Sequence, residues 1–339
     1  MIRECIESIV SGHDLDTDEA ATAMQEIMAG RATDAQIGGL VIALRMKGET
    51  IDELVGMARA MRRNALKVQA SKPLVDTCGT GGDGLGTFNV STAAAFVAAA
   101  AGLRVAKHGN RAVSSTTGSA DILELCGIEI NLGPAAVEQC LEQIGIGFMF
   151  APIFHPAMRH ASGPRKEIGI RTAFNILGPL TNPAEPDFQI VGVARENLGA
   201  KVAHVLQRLG CKRALVVHGE DGADEFTLTG PSHVWEITDN GINSYTVSPH
   251  DVNLDHRNLE ELKGGTTEQN RKIMETVLKG EPGPISDMVA FNSAGALFIS
   301  GIVTNLKDGV ELSKKLMANG DPWHKLEDLV KVSNQLSTK

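Results

Sequence analysis

The sequence predicts an α/β protein: a small all-helical N-terminal domain, then a larger α/β domain with a mostly parallel central sheet and helices on both faces. Three observations carry this. Residues 1 to about 70 show helical apolar spacing and no alternating strand pattern. From Lys72 onward, short apolar runs alternate with loops and helix-length segments, the rhythm of a parallel sheet. The loops after the first strands are rich in glycine, hydroxyls and cations, and ligands of such sheets gather outside the strands' carboxyl ends.

In the first block, Ile2, Ile6, Ile9 and Val10 recur at helical spacing and Gly12 follows as a stop. Thr33-x-x-Gln36 and Thr50-x-x-Glu53 are capping boxes that open two further helices. Gln69 to Pro73 reads as a linker, which divides the chain into a helical domain over 1–71 and an α/β domain over 72–339. The α/β part starts with the apolar run Leu74-Val75, followed by a glycine-rich loop and a helix over Thr92–Ala101. Next come a strand at Arg104–Lys107, a polar loop, a helix ending at Cys126-Gly127, a strand at Ile128–Ile130, a helix over Pro134–Ile144 and a strand at Gly147–Phe150. Residues 155–185 break the rhythm with proline-punctuated helical segments, expected to cross back and join the N-terminal helices. Alternation resumes with a strand at Gln189–Val193, a helix over Leu198–Leu209 and a strand at Ala214–Val217. FTLTG, SHVWEIT and SYTVS, within 226–249, read as antiparallel strands. The remainder is helical, with a cap at Thr266-x-x-Gln269 and a buried helix in MVAFNSAGALFISGIV.

Composition narrows the function. A net charge of −9 over 339 residues argues against broad affinity for nucleic acid or a membrane surface, so an anionic ligand needs a local basic pocket. The five cysteines form no C-x-x-C pair and read as free thiols in a reducing compartment. The polar, acidic start is unlike a signal peptide, and no run approaches the ~20 apolar residues of a membrane span. The expected location is cytoplasmic.

The stretch Asp76–Thr92, DTCGTGGDGLGTFNVST, is the chemical centre of the chain. Glycines at 79, 81, 82, 84 and 86 allow backbone N–H groups to converge, and the helix behind adds unpaired N–H groups and the positive end of its dipole. Such a cradle suits phosphate. Gly79, Gly81 and Gly84 match G-x-G-x-x-G, but no carboxylate stands about 20 positions on to hold a ribose. A Walker A loop is ruled out because Leu85, not Lys, follows Gly84. The remaining reading is a different phosphate loop in which Asp83, Thr87, Asn89, Ser91 and Thr92 add side-chain polar atoms.

The second loop, KHGNRAVSSTTGSAD, offers Lys107, His108, Asn110, Arg111, Ser114, Ser115 and Ser119, cations and hydroxyls that also suit phosphate. Ser119 doubles as a helix N-cap candidate. Asp224-Glu225 follows a strand on a glycine-containing loop; alone it is a charged turn, and beside a phosphate site it is a Mg²⁺ holder, to which Ser91 adds an oxygen. His155, His160 and His218 read as structural.

GTGGDGLGTFNVST, KHGNRAVSSTTGSAD, PRKEIGIRTAFNILGPLTNP and HGEDGADEFTLTGPS, in this order and spacing, resemble the anthranilate phosphoribosyltransferase family, within the nucleoside-phosphorylase-like phosphoribosyltransferases, over nearly the whole chain. The resemblance implies a helical domain hinged to an α/β domain, dimerisation through the helices, the substrates phosphoribosyl pyrophosphate and anthranilate, and Mg²⁺. It implies that phosphoribosyl pyrophosphate is held by Gly79, Gly82, Asp83, Thr87, Asn89, Val90, Ser91, Thr92, Lys107, His108, Gly109, Asn110, Arg111, Ala112, Val113, Ser114, Ser115 and Ser119. Gly79, Asn110 and Arg165 would contact anthranilate, and Ser91, Asp224 and Glu225 would hold Mg²⁺. Lys107, Asn110 and Arg165 would carry the catalytic roles, with His108 and Arg171 as neighbours of the aromatic acid. Two other readings are weighed: a pyrimidine nucleoside phosphorylase, which should lack the Asp-Glu pair, and a non-catalytic nucleic-acid-binding relative, which the net charge disfavours.

Overall fold

The computed structural model describes residues 1–112 and 117–337. Four helices open the chain: α1 (Ile2–Val10), α2 (Thr17–Met28), α3 (Asp34–Lys47) and α4 (Ile51–Asn64). Thr33 and Thr50 each accept a bond from the backbone N–H three residues on, with Gln36 and Glu53 answering in return. Asp16 and Glu19 form the same reciprocal pair at the start of α2, a capping box that a search for threonine caps passes over.

The α/β part begins with β1 (Leu74–Gly79), α5 (Val90–Ala100), β2 (Arg104–Gly109), α6 (Ser119–Leu125), α7 (Pro134–Ile144) and β3 (Ile146–Phe150). Three helices follow: α8 (Ala151–Phe154), α9 (Arg159–Ile168) and α10 (Ala173–Leu180). Then come β4 (Phe188–Gly192), α11 (Gly199–Arg208), β5 (Arg213–Gly219), β6 (Ser232–Thr238) and β7 (Gly241–Val247). Four helices close the described chain: α12 (Thr267–Leu278), α13 (Pro284–Ile299), α14 (Leu306–Ala318) and α15 (Asp321–Ser337).

The seven strands form one sheet in the order β3-β2-β1-β4-β5-β6-β7. The first five are parallel, and β6 and β7 are antiparallel additions at one edge. Along β5, Leu215 and Val217 join one core while Ala214 and Val216 join the other, so the strand is buried on both faces and reads as a continuous apolar run. One face is covered by α5, α7 and α12–α15, the other by α11 with the N-terminal bundle. Helices α9 and α10 pack against α2, α3 and α4, so their apolar side chains share a core with the bundle. Alanines let α5 sit close beneath α13, with nearly every residue of α5 buried.

Two expected strands are absent. Ile128 and Ile130 are buried, but β3 occupies the open edge of β2 and Ile128–Ile130 joins no ladder. FTLTG is irregular because the Thr227 and Thr229 hydroxyls both donate to Asp221 Oδ2, at 2.8 and 2.6 Å, and curl the chain before it can pair.

Candidate active site

The site lies where the carboxyl ends of β1, β2 and β5 converge, at the point where the strand order reverses. Gly79 ends β1 and pairs in register with Gly192 at the end of β4. Asp224 lies across this glycine pair: a Cβ on Gly79 would come within 2.3 Å of Asp224 Oδ2, and one on Gly192 within 1.4 Å of the Asp224 carbonyl oxygen. Gly81 N–H donates to Asp224 Oδ2 at 2.7 Å, tying the glycine loop directly to the Asp-Glu turn. Gly82 has φ of +73°, and a side chain there would collide with the Arg171 guanidinium.

A cavity of about 300 Å³ fills this convergence. Its lining includes Gly79, Gly82, Asp83, Thr87, Asn89, Ser91 and Thr92 from the first loop and Lys107–Ala112 with Ser119 from the second. Asp224, Glu225 and Arg171 complete it. Val90 has its side chain fully buried in the core and lines neither cavity, while Ser91 and Thr92 in the same first turn of α5 face the cleft. Val113, Ser114 and Ser115 lie outside the described residues. Arg111 reaches the cavity wall, but its guanidinium is gripped by Glu124 at 2.8 and 3.0 Å and by Asp121 at 3.0 Å.

Lys107 is 3% exposed, and its Nζ donates to the Thr77 carbonyl at 2.6 Å. Burial pulls its pKa down, while Asp76, Cys78 and Glu225 pull it back up. The acidic side is under the opposite pressure. Burial, with the nearby Asp83 carboxylate, pushes Asp224 up to about 6. Burial, Asp224 and Asp83 together push Glu225 well above the usual carboxylate range. Glu225 Oε2 is buried without a hydrogen-bond partner. Two crowded carboxyls with an orphaned oxygen form a donor set that fits a hard divalent cation, and Ser91 lines the same space. Among the described residues no cluster of three or more His, Cys, Asp or Glu could hold a metal.

The first turn of α12 and the residues just before it hold the far side of the cradle. Gly264 N–H donates to the Gly86 carbonyl at 2.9 Å, and Asn270 Nδ2 donates to Asn89 Oδ1 at 3.4 Å. Asn89 Nδ2 in turn donates to the Thr117 carbonyl at 2.9 Å, joining the two loops.

A second cavity, about 430 Å³, opens beside the first and shares Cys78, Gly79, Thr80, His108, Gly109, Asn110 and Asn175 with it. Its outer wall comes from the helical side: Met61, Met158, Arg159, Arg165 and Phe174. Arg165 lies over the Phe174 ring at 5.1 Å, and burial lowers its pKa. No carboxylate pairs with it among the described residues. His108 and His155 face each other with ring centroids 5.1 Å apart and buried, unpartnered Nε2 atoms. Burial drives both pKa values down, His155 to about 4, so both are neutral at pH 7. Thr80, Asn175 and Thr117 are not foreseen from the sequence: Thr80 and Thr117 look like ordinary loop residues, and Asn175 like a helix-start residue, whose side chain accepts from Thr172 N–H. Arg171 donates to the Thr80 carbonyl at 2.9 Å and spans the two sides of the cleft.

A glycine-rich anion cradle beside a second ligand pocket, on a parallel sheet with an appended helical bundle, defines a transferase of the two-domain glycosyl transferase class. Residues 3–65 match the glycosyl transferase family helical bundle domain, and residues 71–322 match its a/b domain. Within that class the chain belongs to the anthranilate phosphoribosyltransferase family. It is 52% identical to the anthranilate phosphoribosyltransferase of Moorella thermoacetica, covering 97% of this chain and 98% of the relative. The crystal structure of the Thermus thermophilus enzyme superposes with a TM-score of 0.93 at 44% identity, over 97% of this chain and 99% of that one. The Saccharomyces cerevisiae enzyme in complex with phosphoribosyl pyrophosphate and Mg superposes with a TM-score of 0.92 at 26% identity, over 99% of this chain and 98% of that one. It has also been solved with 4-fluoroanthranilate.

Proposed function

We infer that the chain transfers the 5-phosphoribosyl group of phosphoribosyl pyrophosphate to the amine of anthranilate, releasing pyrophosphate, as a step of tryptophan biosynthesis. The observation that carries this reading is the pair of cavities meeting along Gly79, His108 and Asn110. One is lined by loop N–H groups, a lysine and paired carboxyls; the other presents an arginine without a carboxylate partner above an aromatic ring.

The pyrophosphate lies against the glycine loop, whose N–H groups and helix dipole favour anionic oxygens. Asp224, Glu225 and Ser91 would hold Mg²⁺, which would supply positive charge to the diphosphate. Lys107 adds a second, nearly desolvated charge where negative charge builds on the leaving group. Anthranilate occupies the larger cavity with its carboxylate on Arg165, and Asn110 and Gly79 bring its amine toward ribose C1. An aromatic amine is neutral at pH 7, so attack needs no strong base, consistent with histidines that burial keeps uncharged. The helical block pairs with a second copy in this reading. The net charge of −9 speaks against a nucleic-acid partner, and no helix among the described residues is long and apolar enough to cross a membrane.

The test mixes protein, phosphoribosyl pyrophosphate, Mg²⁺ and anthranilate and follows anthranilate fluorescence. Loss of signal that requires both the sugar phosphate and Mg²⁺ is expected; a flat trace rejects the assignment.

A further inference from the structure

The seam between β1 and β2 is open where the substrates would lie. β1 stays paired with β4 from Val75 to Gly79, and β2 with β3 from Val105 to Gly109. Between β1 and β2, however, only Leu74↔Arg104 and Val75↔Val105 are in register. A parallel ladder broken after two pairs leaves backbone groups without ladder partners, and buried groups of that kind must bond elsewhere.

Side chains take their place. Asn182, fully buried, donates from Nδ2 to the Ala106 carbonyl and to Asp76 Oδ2, each at 2.8 Å, while its Oδ1 accepts from Ala184 N–H at 2.9 Å. Asp76, also fully buried, accepts from His108 N–H at 3.4 Å through its other oxygen. Lys107 Nζ crosses the same seam to the Thr77 carbonyl. Past this point Cys78–Thr80 and His108–Asn110 form facing walls common to both cavities. We propose that Asp76 and Asn182 are positioning residues that wedge β1 and β2 apart and so set the spacing of the walls between which ribose C1 and the attacking amine meet. The proposal rests on the transferase reading of the cleft and adds a distinct element to it, since neither residue lines either cavity.

The donor and acceptor pattern makes the wedge testable by exchange. Asp76→Asn leaves one acceptor where two are used, so residue 76 can accept from Asn182 Nδ2 or from His108 N–H and sets a donor against the other. Asn182→Asp places two carboxyls together and removes the donor to Ala106. The exchange Asp76→Asn with Asn182→Asp restores the 76–182 bond and leaves only the Ala106 carbonyl unserved. Each single substitution is expected to lower kcat per active site by about 100-fold, the scale on which a small misplacement of reacting groups acts. The phosphoribosyl pyrophosphate KM should stay within about threefold, because loop N–H groups and not the seam make that cradle. The exchange should recover about tenfold in kcat.

A pair that only fills the core would lower Tm and yield without changing kcat per folded molecule. Singles at parent kcat, an exchange no better than the worse single, or failure of all three variants to fold would each overturn the proposal. A crystal structure of Asn182→Asp separates this from failure of the functional reading. The wedge predicts a broken Lys107–Thr77 contact whether or not the parent turns over, and an unaltered seam refutes it.

Discussion

The two cavities that meet at Gly79 and Asn110 are made of different materials. The smaller is built from chain turns: glycine backbone, a helix N-terminus, and an Asp-Glu turn whose Asp224 sits against a glycine pair that leaves room for no side chain. The larger is built from side chains that reach it from separate helices, with Arg165 and Phe174 on α9 and α10 and Met61 on α4. A cradle of backbone can recognise only a generic feature, the charge of phosphate. A wall of converging side chains can select one aromatic acid. The division predicts that affinity for the two substrates is separable by mutation.

The largest expected effect is on the carboxyl pair. Asp224→Asn with Glu225→Gln should cut kcat/KM by about 10²–10³, comparable to loss of a strong transition-state contact, and shift the Mg²⁺ dependence to higher concentration. Steady-state rates across a Mg²⁺ titration decide this, and an unshifted curve removes the pair from the site. Arg165→Ala comes next. It should raise the anthranilate KM by about 10–100-fold, from the ~1.5–3 kcal/mol of a hydrogen bond to a charged group, and leave the phosphoribosyl pyrophosphate KM nearly unchanged. Equal loss of both affinities would dissolve the division between the cavities.

A third effect is visible in stability. Asp224 and Glu225 have folded-state pKa values raised by burial, Asp224 to about 6. Below about pH 3 both are protonated whether the chain is folded or not, and they cost nothing. As pH rises toward the native pKa the unfolded chain ionises first, so the metal-free fold loses this stability, and a cation on the ionised pair offsets the loss. The Tm gain on adding Mg²⁺ should therefore be small near pH 5 and grow as pH rises through about 6, where Asp224 ionises. Thermal melts on either side of pH 6 check it, and a pH-independent gain contradicts it. The smallest effect falls on the strap behind the cradle. Asn270→Ala removes its bond to Asn89 and should raise the phosphoribosyl pyrophosphate KM about fivefold, as loss of ~1 kcal/mol implies, with anthranilate KM unmoved in initial-rate kinetics.

The same contrast explains what the sequence disclosed. Glycines at 79, 82 and 84, and Asp224-Glu225 after a strand, are local signals whose geometry follows from the residue types alone, so the smaller cavity can be read along the chain. FTLTG carries an alternating pattern that β-propensity favours, yet two threonine bonds to Asp221 curl it away from the sheet. Val90, which the resemblance places at the ligand, turns its side chain into the core by helical rotation while its neighbours Ser91 and Thr92 face the cleft. Asp76 and Asn182, 106 residues apart, meet only because β1 and the segment after α10 are brought together. No local pattern announces such a pair.

The most direct measurement is a crystal structure of the protein with phosphoribosyl pyrophosphate, Mg²⁺ and 4-fluoroanthranilate. Pyrophosphate is expected against residues 79–92, the aromatic ring in the larger cavity with its carboxylate on Arg165, and ribose C1 between Gly79 and Asn110. An aromatic ring in the glycine cradle, or the sugar phosphate beside Phe174, would contradict the division of labour between the two cavities.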